Sequence, residues 1–188
     1  MPLLKVIVAS TRPGRIGRGI GDWFAGHAAE HGGFDVEIID LAEVGLPFLD
    51  EPEHASTGNY VHQHSKEWSA TIGEADAFVF VMPEYNYAFS APLKNAIDFL
   101  YYEWRYKPVG FVSYGGMSGG LRAVQMMKQV VTTLRMVPAG EAVTVFTRRQ
   151  LDADGRLTVD EGLSASATGM LDELGQLTAA MSAMRSAS

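Results

Sequence analysis

Three short stretches of this chain carry the residue types that could do chemistry. Ser10-Thr11-Arg12-Pro13-Gly14-Arg15-Ile16-Gly17 brings hydroxyls, two guanidiniums and glycines together just ahead of an apolar helical pattern. Beside the free N–H groups and positive dipole end of a helix start, such groups make a cradle for an anion. The glycines at 14, 17, 19 and 21 do not fall into the dinucleotide spacing G-x-G-x-x-G, and no G-K-[ST] is present. The loop therefore reads as a seat for a single phosphate monoester. Pro83-Glu84-Tyr85-Asn86-Tyr87 supplies two tyrosines, an amide and a proline, the makings of a platform for a flat ligand with polar edges. In Ser113-Tyr114-Gly115-Gly116 the glycines let backbone come close to such a ligand. Each stretch alone also describes an ordinary turn with surface or core side chains, so the weight lies in their occurring together.

Other chemistries find less support. His27-Ala28-Ala29-Glu30-His31 matches the peptidase zinc pattern H-x-x-E-H, with both imidazoles on one helical face. These histidines fall just before Gly32-Gly33, where they complement the end of a helix dipole, and no third ligand is apparent. His62-Gln63-His64 reads as a solvated helix start. With no cysteine in the chain, thiolate catalysis, disulfides and cysteine-ligated metals are excluded. No Ser–His–Asp set or close carboxylate pair stands out, so no catalytic side chain and no metal site are assigned. An enzyme of this kind would leave the hard step to a cofactor.

The elements that must position these stretches alternate. Leu3–Ala9 is a buried strand, and Ile16, Ile20, Trp23, Phe24 and Ala28 follow at helical spacing until Gly32-Gly33. Phe34–Leu41 alternates apolar and charged residues, which places it at a sheet edge. Residues 43 to 62 show little periodicity, and a connection this long is uncommon unless it does something. A polar helix from about His64 to Glu74 precedes the uncharged strand Ala77–Met82. The spacing then predicts a helix over 91–104, a strand at Val109–Tyr114, a helix over 119–135, a strand at Ala142–Phe146 and a last helix from about Asp160 to Met184. This βαβαβαβαβα order implies an α/β fold, a flavodoxin-like doubly wound parallel sheet of five strands in the order 2-1-3-4-5 with helices on both faces. The helices at 91–104 and 119–135 are apolar on more than one side, which suggests a subunit interface; Tyr101, Tyr102 and Trp104 read as packing residues there.

In such a sheet, ligands sit outside the carboxyl ends of the strands, where all three chemistry-bearing loops emerge. The combination reads as a flavin site. Residues 1–188 are enough for one domain with a substantial core, and 47% apolar with 20% charged residues is a globular composition. A formal charge of -7 argues against broad nucleic-acid binding, and no apolar run approaches the roughly 20 residues of a membrane span. A cytoplasmic protein is expected.

The residues just quoted, together with Leu93-Lys94-Asn95-Ala96-Ile97-Asp98, resemble the NADPH-dependent FMN reductase family, which includes quinone, azo-dye and chromate reductases. The likeness extends over nearly the whole chain, through Leu46-Pro47, Trp68 and Glu74-Ala75-Asp76. It implies bound FMN, NADPH or NADH as co-substrate, a quinone, azo compound, metal oxyanion or free flavin as acceptor, and a homodimer or homotetramer. By motif match, Ser10, Arg12, Arg15, Ile16 and Gly17 would hold the FMN phosphate. Pro83, Glu84, Tyr85, Asn86 and Tyr87 would line the flavin, with Ser113, Gly115 and Gly116 along its other side. One departure stands out: Tyr87-Ala88-Phe89-Ser90-Ala91-Pro92 occupies a stretch where many relatives have Gly near the start and an earlier Pro. Two other readings share the scaffold, a flavodoxin-type electron carrier without a nicotinamide site and a non-flavin ligand-binding module.

Overall fold

The computed structural model describes residues 1–186. Its elements run β1 (Leu3–Val8), α1 (Gly17–His31), β2 (Asp35–Asp40), α2 (Leu41–Val44), α3 (Gln63–Gly73), β3 (Ala77–Pro83), α4 (Ala91–Asp98), β4 (Pro108–Gly115), α5 (Leu121–Thr133), β5 (Val137–Pro138), β6 (Val143–Phe146), α6 (Thr147–Gln150) and α7 (Glu161–Ser186). The strands form one parallel sheet in the order β2-β1-β3-β4-β5, with β6 also pairing β4. Strand β2 lies at the edge, as its alternation predicts, with Asp35 and Glu37 exposed.

Period-two alternation in the central strands divides the core. Phe78, Phe80 and Met82 of β3 face α3, α4 and α5, while Ala77, Val79 and Val81 face α1 and α7. The bulky side is closed by Trp104, whose ring centroid lies 5.0 Å from Phe78 and 6.3 Å from Phe80. The smaller side lets α7 come close: a Cβ at Gly110 would stand 2.8 Å from the sulfur of Met170.

Three expectations need correction. The helix read over 91–104 stops at Asp98, because two indoles take carbonyls at its end: Trp68 Nε1 donates to Ala96 O (2.8 Å) and Trp104 Nε1 to Ile97 O (3.1 Å). The chain then turns inward, so Leu93, Ala96, Ile97, Leu100 and Trp104 are all buried within this one chain. The helix read over 119–135 starts at Leu121, since Gly119 (φ 61°) and Gly120 (φ 92°) are left-handed and outside it. Its stripe Val124, Met127 and Val131 is buried, but Leu121 and Met126 remain exposed. The fifth sheet position is shared by β5 and β6, because the N–H groups of Gly140 and Glu141 between them bond the Glu173 carboxylate of α7 (2.9 and 2.8 Å) instead of β4.

The long connection after β2 is held by side chains. Asn95 grips it from α4, donating to Pro47 O (2.7 Å) and accepting from Leu49 N (3.0 Å). Glu51 accepts the N–H groups of Val61 and His62 at 2.9 and 3.0 Å. Burial pushes the Glu51 carboxyl up, but the nearby Ser65 hydroxyl and the hydrogen-bonded N–H groups of Val61 and His62 outweigh it and bring it down to about 2. His62 and His64 stack at 5.2 Å and both bond Asp50 in this loop. His27 and His31 face α7, bonding Thr168 and Asp172 at 3.0 Å each.

Candidate functional site

At the carboxyl edge of the sheet the loops after β1, β3 and β4 are fastened to one another. Ala9 N donates to Val81 O (2.9 Å), and Ser90 Oγ, buried ahead of α4, donates to Ala9 O (3.0 Å). Glu84 N donates to Tyr114 O (3.0 Å), joining the second loop to the third.

The first and third loops meet beneath the start of α1. Ser10 and Tyr114 are buried, and among the described residues neither hydroxyl has a hydrogen-bond partner. A Cβ at Gly17 would overlap both hydroxyls, so only glycine leaves this space open. Burial pushes the Tyr114 phenol up to about 12 against a smaller downward pull from the neighbouring Ser10 hydroxyl, which stands close to it without completing a hydrogen bond, and this keeps the phenol proton in place as a donor. Helix α1 begins after Ile16 without a side-chain cap, so its first-turn N–H groups are open to an external acceptor. Arg12 is exposed, and among the described residues its side chain hydrogen-bonds only Pro13 O (3.4 Å). Unmatched buried hydroxyls are costly unless an acceptor completes them. An anion with several oxygens is the group this arrangement is built to receive.

Arg15 is placed differently from Arg12. Its Nη2 pairs with the buried carboxylate of Asp40 and its Nη1 donates to Ser10 O (3.3 Å), while Nε has no partner among the described residues. Arg18 reaches the same Asp40 (3.4 Å) and Glu43 (3.0 Å). Arg15 is thus a brace between the loop and the end of β2, and its charge is largely answered by Asp40. Ile16 lies under the 151–157 turn, where a Cβ at Gly155 would stand 3.7 Å from its Cγ2.

The second loop is a two-residue hairpin turn. Tyr85 and Ala88 exchange N–H···O bonds (2.9 and 3.0 Å), while Asn86 (φ 51°) and Tyr87 (φ 72°) occupy the left-handed positions. Pro83 is buried at the end of β3, and the Tyr85 and Tyr87 rings are exposed. Glu84 turns away from solvent to accept from Ser118 Oγ, Arg122 N (3.2 Å) and Arg122 Nη1 (3.0 Å). Burial raises its carboxyl, but these donors prevail and hold it below the usual range. In the third loop, Ser113 Oγ donates to Gly119 O (2.9 Å) and closes the turn on itself. A Cβ at Gly115 would press to 3.1 Å from Gly120 N.

The structure therefore brings Ser10, Gly17 and the 113–116 loop together, and ties the 83–87 loop to them. It turns Arg15, Glu84 and Ser113 toward protein partners. Motif reading left out Tyr114 as a donor and Arg122 as the partner of Glu84. It also left out Arg148 of α6, whose Nε would stand 3.7 Å from a Cβ at Gly116. A signal for Arg148 was present, since Thr147-Arg148-Arg149 directly follows a strand at this same edge. Beside Thr11 opens a cavity of about 520 Å³ lined by Leu41, Leu46, Pro47, Phe48, Pro92 and Asn95 among others, with no charged side chain in its wall.

Residues 2–149 match the family described as NADPH-dependent FMN reductase. The chain is 40% identical over 148 residues to an NAD(P)H-dependent FMN reductase of Schizosaccharomyces pombe, covering 77% of this chain and 74% of that protein. It is 34% identical over 136 residues to an NADPH:quinone oxidoreductase of Arabidopsis thaliana, covering 69% of this chain and 67% of the other. Among solved structures, the flavoenzyme NAD(P)H:(acceptor) oxidoreductase FerB of Paracoccus denitrificans superposes with a TM-score of 0.75 at 22% identity, over 96% of this chain and 99% of its own. At that identity the likeness speaks to the fold.

Proposed function

The chain belongs to the NADPH-dependent FMN reductase family, and from that premise we propose that it is an NAD(P)H-dependent oxidoreductase that holds FMN across its three carboxyl-edge loops and reduces a quinone. The observation that carries this reading is the pair of buried, unmatched hydroxyls of Ser10 and Tyr114 beneath the uncapped start of α1. They fit the phosphate of FMN, which brings several acceptor oxygens and the negative charge that a helix start favours. Bound FMN supplies the two-electron chemistry, taking reducing equivalents from NAD(P)H and giving them to the acceptor.

The chain's own part is to bind and orient. Ser10 Oγ, Tyr114 Oη and the first-turn N–H groups of α1 would donate to the phosphate, and Arg12, in no ion pair among the described residues, would add its charge beside it. Arg15 keeps the loop in shape through Asp40. The backbone of Gly115 and Gly116 and the Asn86 turn would offer polar contacts to the ring system. The one carboxylate in the second loop, Glu84, is engaged by Ser118 and Arg122 and is assigned no proton to move. Solvent at the open edge serves that purpose. The uncharged cavity beside Thr11 suits a neutral, apolar acceptor better than an oxyanion.

Assembly as a homodimer or homotetramer is part of the same reading, with the exposed Leu121 and Met126 of α5 as the contact. Light scattering that gives the mass of one chain would refute that assembly.

The functional test is steady-state consumption of NADPH and NADH with a quinone by the FMN-loaded protein. Multiple turnovers are expected; reduction that stops after one equivalent of bound FMN would fit an electron carrier and overturn the assignment.

A further inference from the structure

We propose that a cavity at the amino end of the sheet is a second binding site, which takes a phosphate group between Arg105 and Lys107. The cavity holds about 340 Å³ and is lined by Gly73, Tyr102, Glu103, Arg105, Lys107 and Arg185. Lys107 stands immediately before β4, and Tyr114 lies near the other end of that strand, so the two sites are roughly 23 Å apart. The wall carries three cations and one carboxylate, and that carboxylate is turned to other partners. Glu103 accepts from Ser69 Oγ (2.6 Å), Tyr60 Oη (3.2 Å) and Tyr101 N (3.2 Å). Beyond the wall, Asp76 is engaged by Leu3 N (2.9 Å) and Arg185 Nη2 (3.1 Å), and Glu74 by Lys5 (2.9 Å).

Arg105 makes no ion pair among the described residues. Its guanidinium carbon rests 4.2 Å from the Tyr102 ring centroid and 4.9 Å from that of Tyr101, a stacking that holds the group while leaving its N–H edge for an acceptor. Lys107 Nζ gives two hydrogens to Ile72 O (2.8 Å) and Gly73 O (2.9 Å), and the third is used by no protein hydrogen bond among the described residues. Burial pushes this ammonium down to about 8, and Arg185 adds to the effect, so an anion beside it would be stabilising. Between the two cations, Tyr106 keeps a left-handed backbone (φ 56°), held by bonds from its N to Arg135 O (3.0 Å) and from Arg185 Nη1 to its O (3.2 Å). Such backbone outliers gather at working sites. A planar carboxylate would be satisfied by the fork of Arg105 alone; a lysine donor from a second residue suits the tetrahedral oxygens of a phosphate. The cavity exceeds what one phosphate fills, and the half-exposed Tyr102 ring offers a flat wall to an attached organic group.

The test is calorimetric titration of the full chain, saturated with FMN so that the seat at α1 is filled, with inorganic phosphate and with phenyl phosphate at constant ionic strength. Wild type is compared with Arg105→Gln, Lys107→Met and, as a control of equal charge change at an exposed position of α3, Lys66→Gln. Saturation at one phosphate per chain is expected. Arg105→Gln and Lys107→Met should each weaken it roughly tenfold or more, the loss of one charge-assisted hydrogen bond, and Lys66→Gln should leave it unchanged. Tighter binding of phenyl phosphate assigns the site to a phosphate monoester, and equal binding assigns it to free phosphate. Absence of saturable binding in wild type, or binding that Arg105→Gln leaves unchanged, overturns the proposal. Arg105 is only partly buried, so its variant decides the matter even where Lys107→Met lowers stability.

Discussion

Tyr114→Phe separates a ligand-binding hydroxyl from a structural one, because the two roles predict opposite signs. The Tyr114 hydroxyl is buried at the end of β4 with no partner among the described residues. Removing an unmatched buried hydroxyl relieves a desolvation penalty of about 1–3 kcal/mol, and the phenyl ring keeps the packing. The FMN-free variant should therefore be more stable than wild type by about 1 kcal/mol. With FMN present the same hydroxyl donates to a phosphate oxygen, a charge-assisted bond of about 1.5–3 kcal/mol. Its loss should weaken FMN binding by roughly 10- to 100-fold. The assay is urea denaturation of the FMN-free protein alongside fluorescence titration with FMN. A variant that is destabilised without FMN and binds it as tightly as wild type would refute the reasoning, since that pattern belongs to a hydroxyl with a protein partner.

Two further predictions rest on single positions. Gly17→Ala should weaken FMN binding by roughly 100-fold, because the added methyl displaces two donors, whereas Gly19→Ala, where a Cβ meets nothing within 4 Å, should leave it unchanged; equal titration curves for the two variants would contradict the account. Lys107, held at the far edge of the sheet by Ile72 O (2.8 Å) and Gly73 O (2.9 Å), is pushed down to about 8 by burial, with Arg185 adding to the effect. Its folded value lies below the unfolded value of about 10.4, so the unfolded chain binds more protons between those limits. The full penalty applies below pH 8, and stability from this residue should rise as pH climbs from about 8 to about 10. Denaturation at pH 7, 9 and 10 should show that rise in wild type and a flatter profile in Lys107→Met; parallel profiles would disprove it.

Much of this was legible in the sequence because it is written locally. Charge-free β-branched runs, helical spacing and Gly32 at the end of α1 are short-range signals, and together they dictate the strand order and the edge where the loops emerge. The partners of polar side chains are another matter. Arg15 and Glu84 look like ligands for a bound group until Asp40, 25 residues on, and Arg122, 38 residues on, are seen to claim them. The end of α4 depends on Trp68, which reaches Ala96 O from 28 residues away, and the break between β5 and β6 depends on Glu173. Tyr114 shows the same limit from the other side. A tyrosine beside two glycines reads as a platform residue, and only burial beneath Gly17 marks its hydroxyl as a waiting donor.

The central claim is that a phosphate sits at the start of α1, and comparing FMN with riboflavin tests it most directly, since the two differ only in that group. Titration of the FMN-free protein should give at least roughly 100-fold tighter binding of FMN, the worth of two charge-assisted hydrogen bonds after partial offset by water, and Ser10→Ala should narrow the gap. Equal affinity for the two flavins would contradict the site as described.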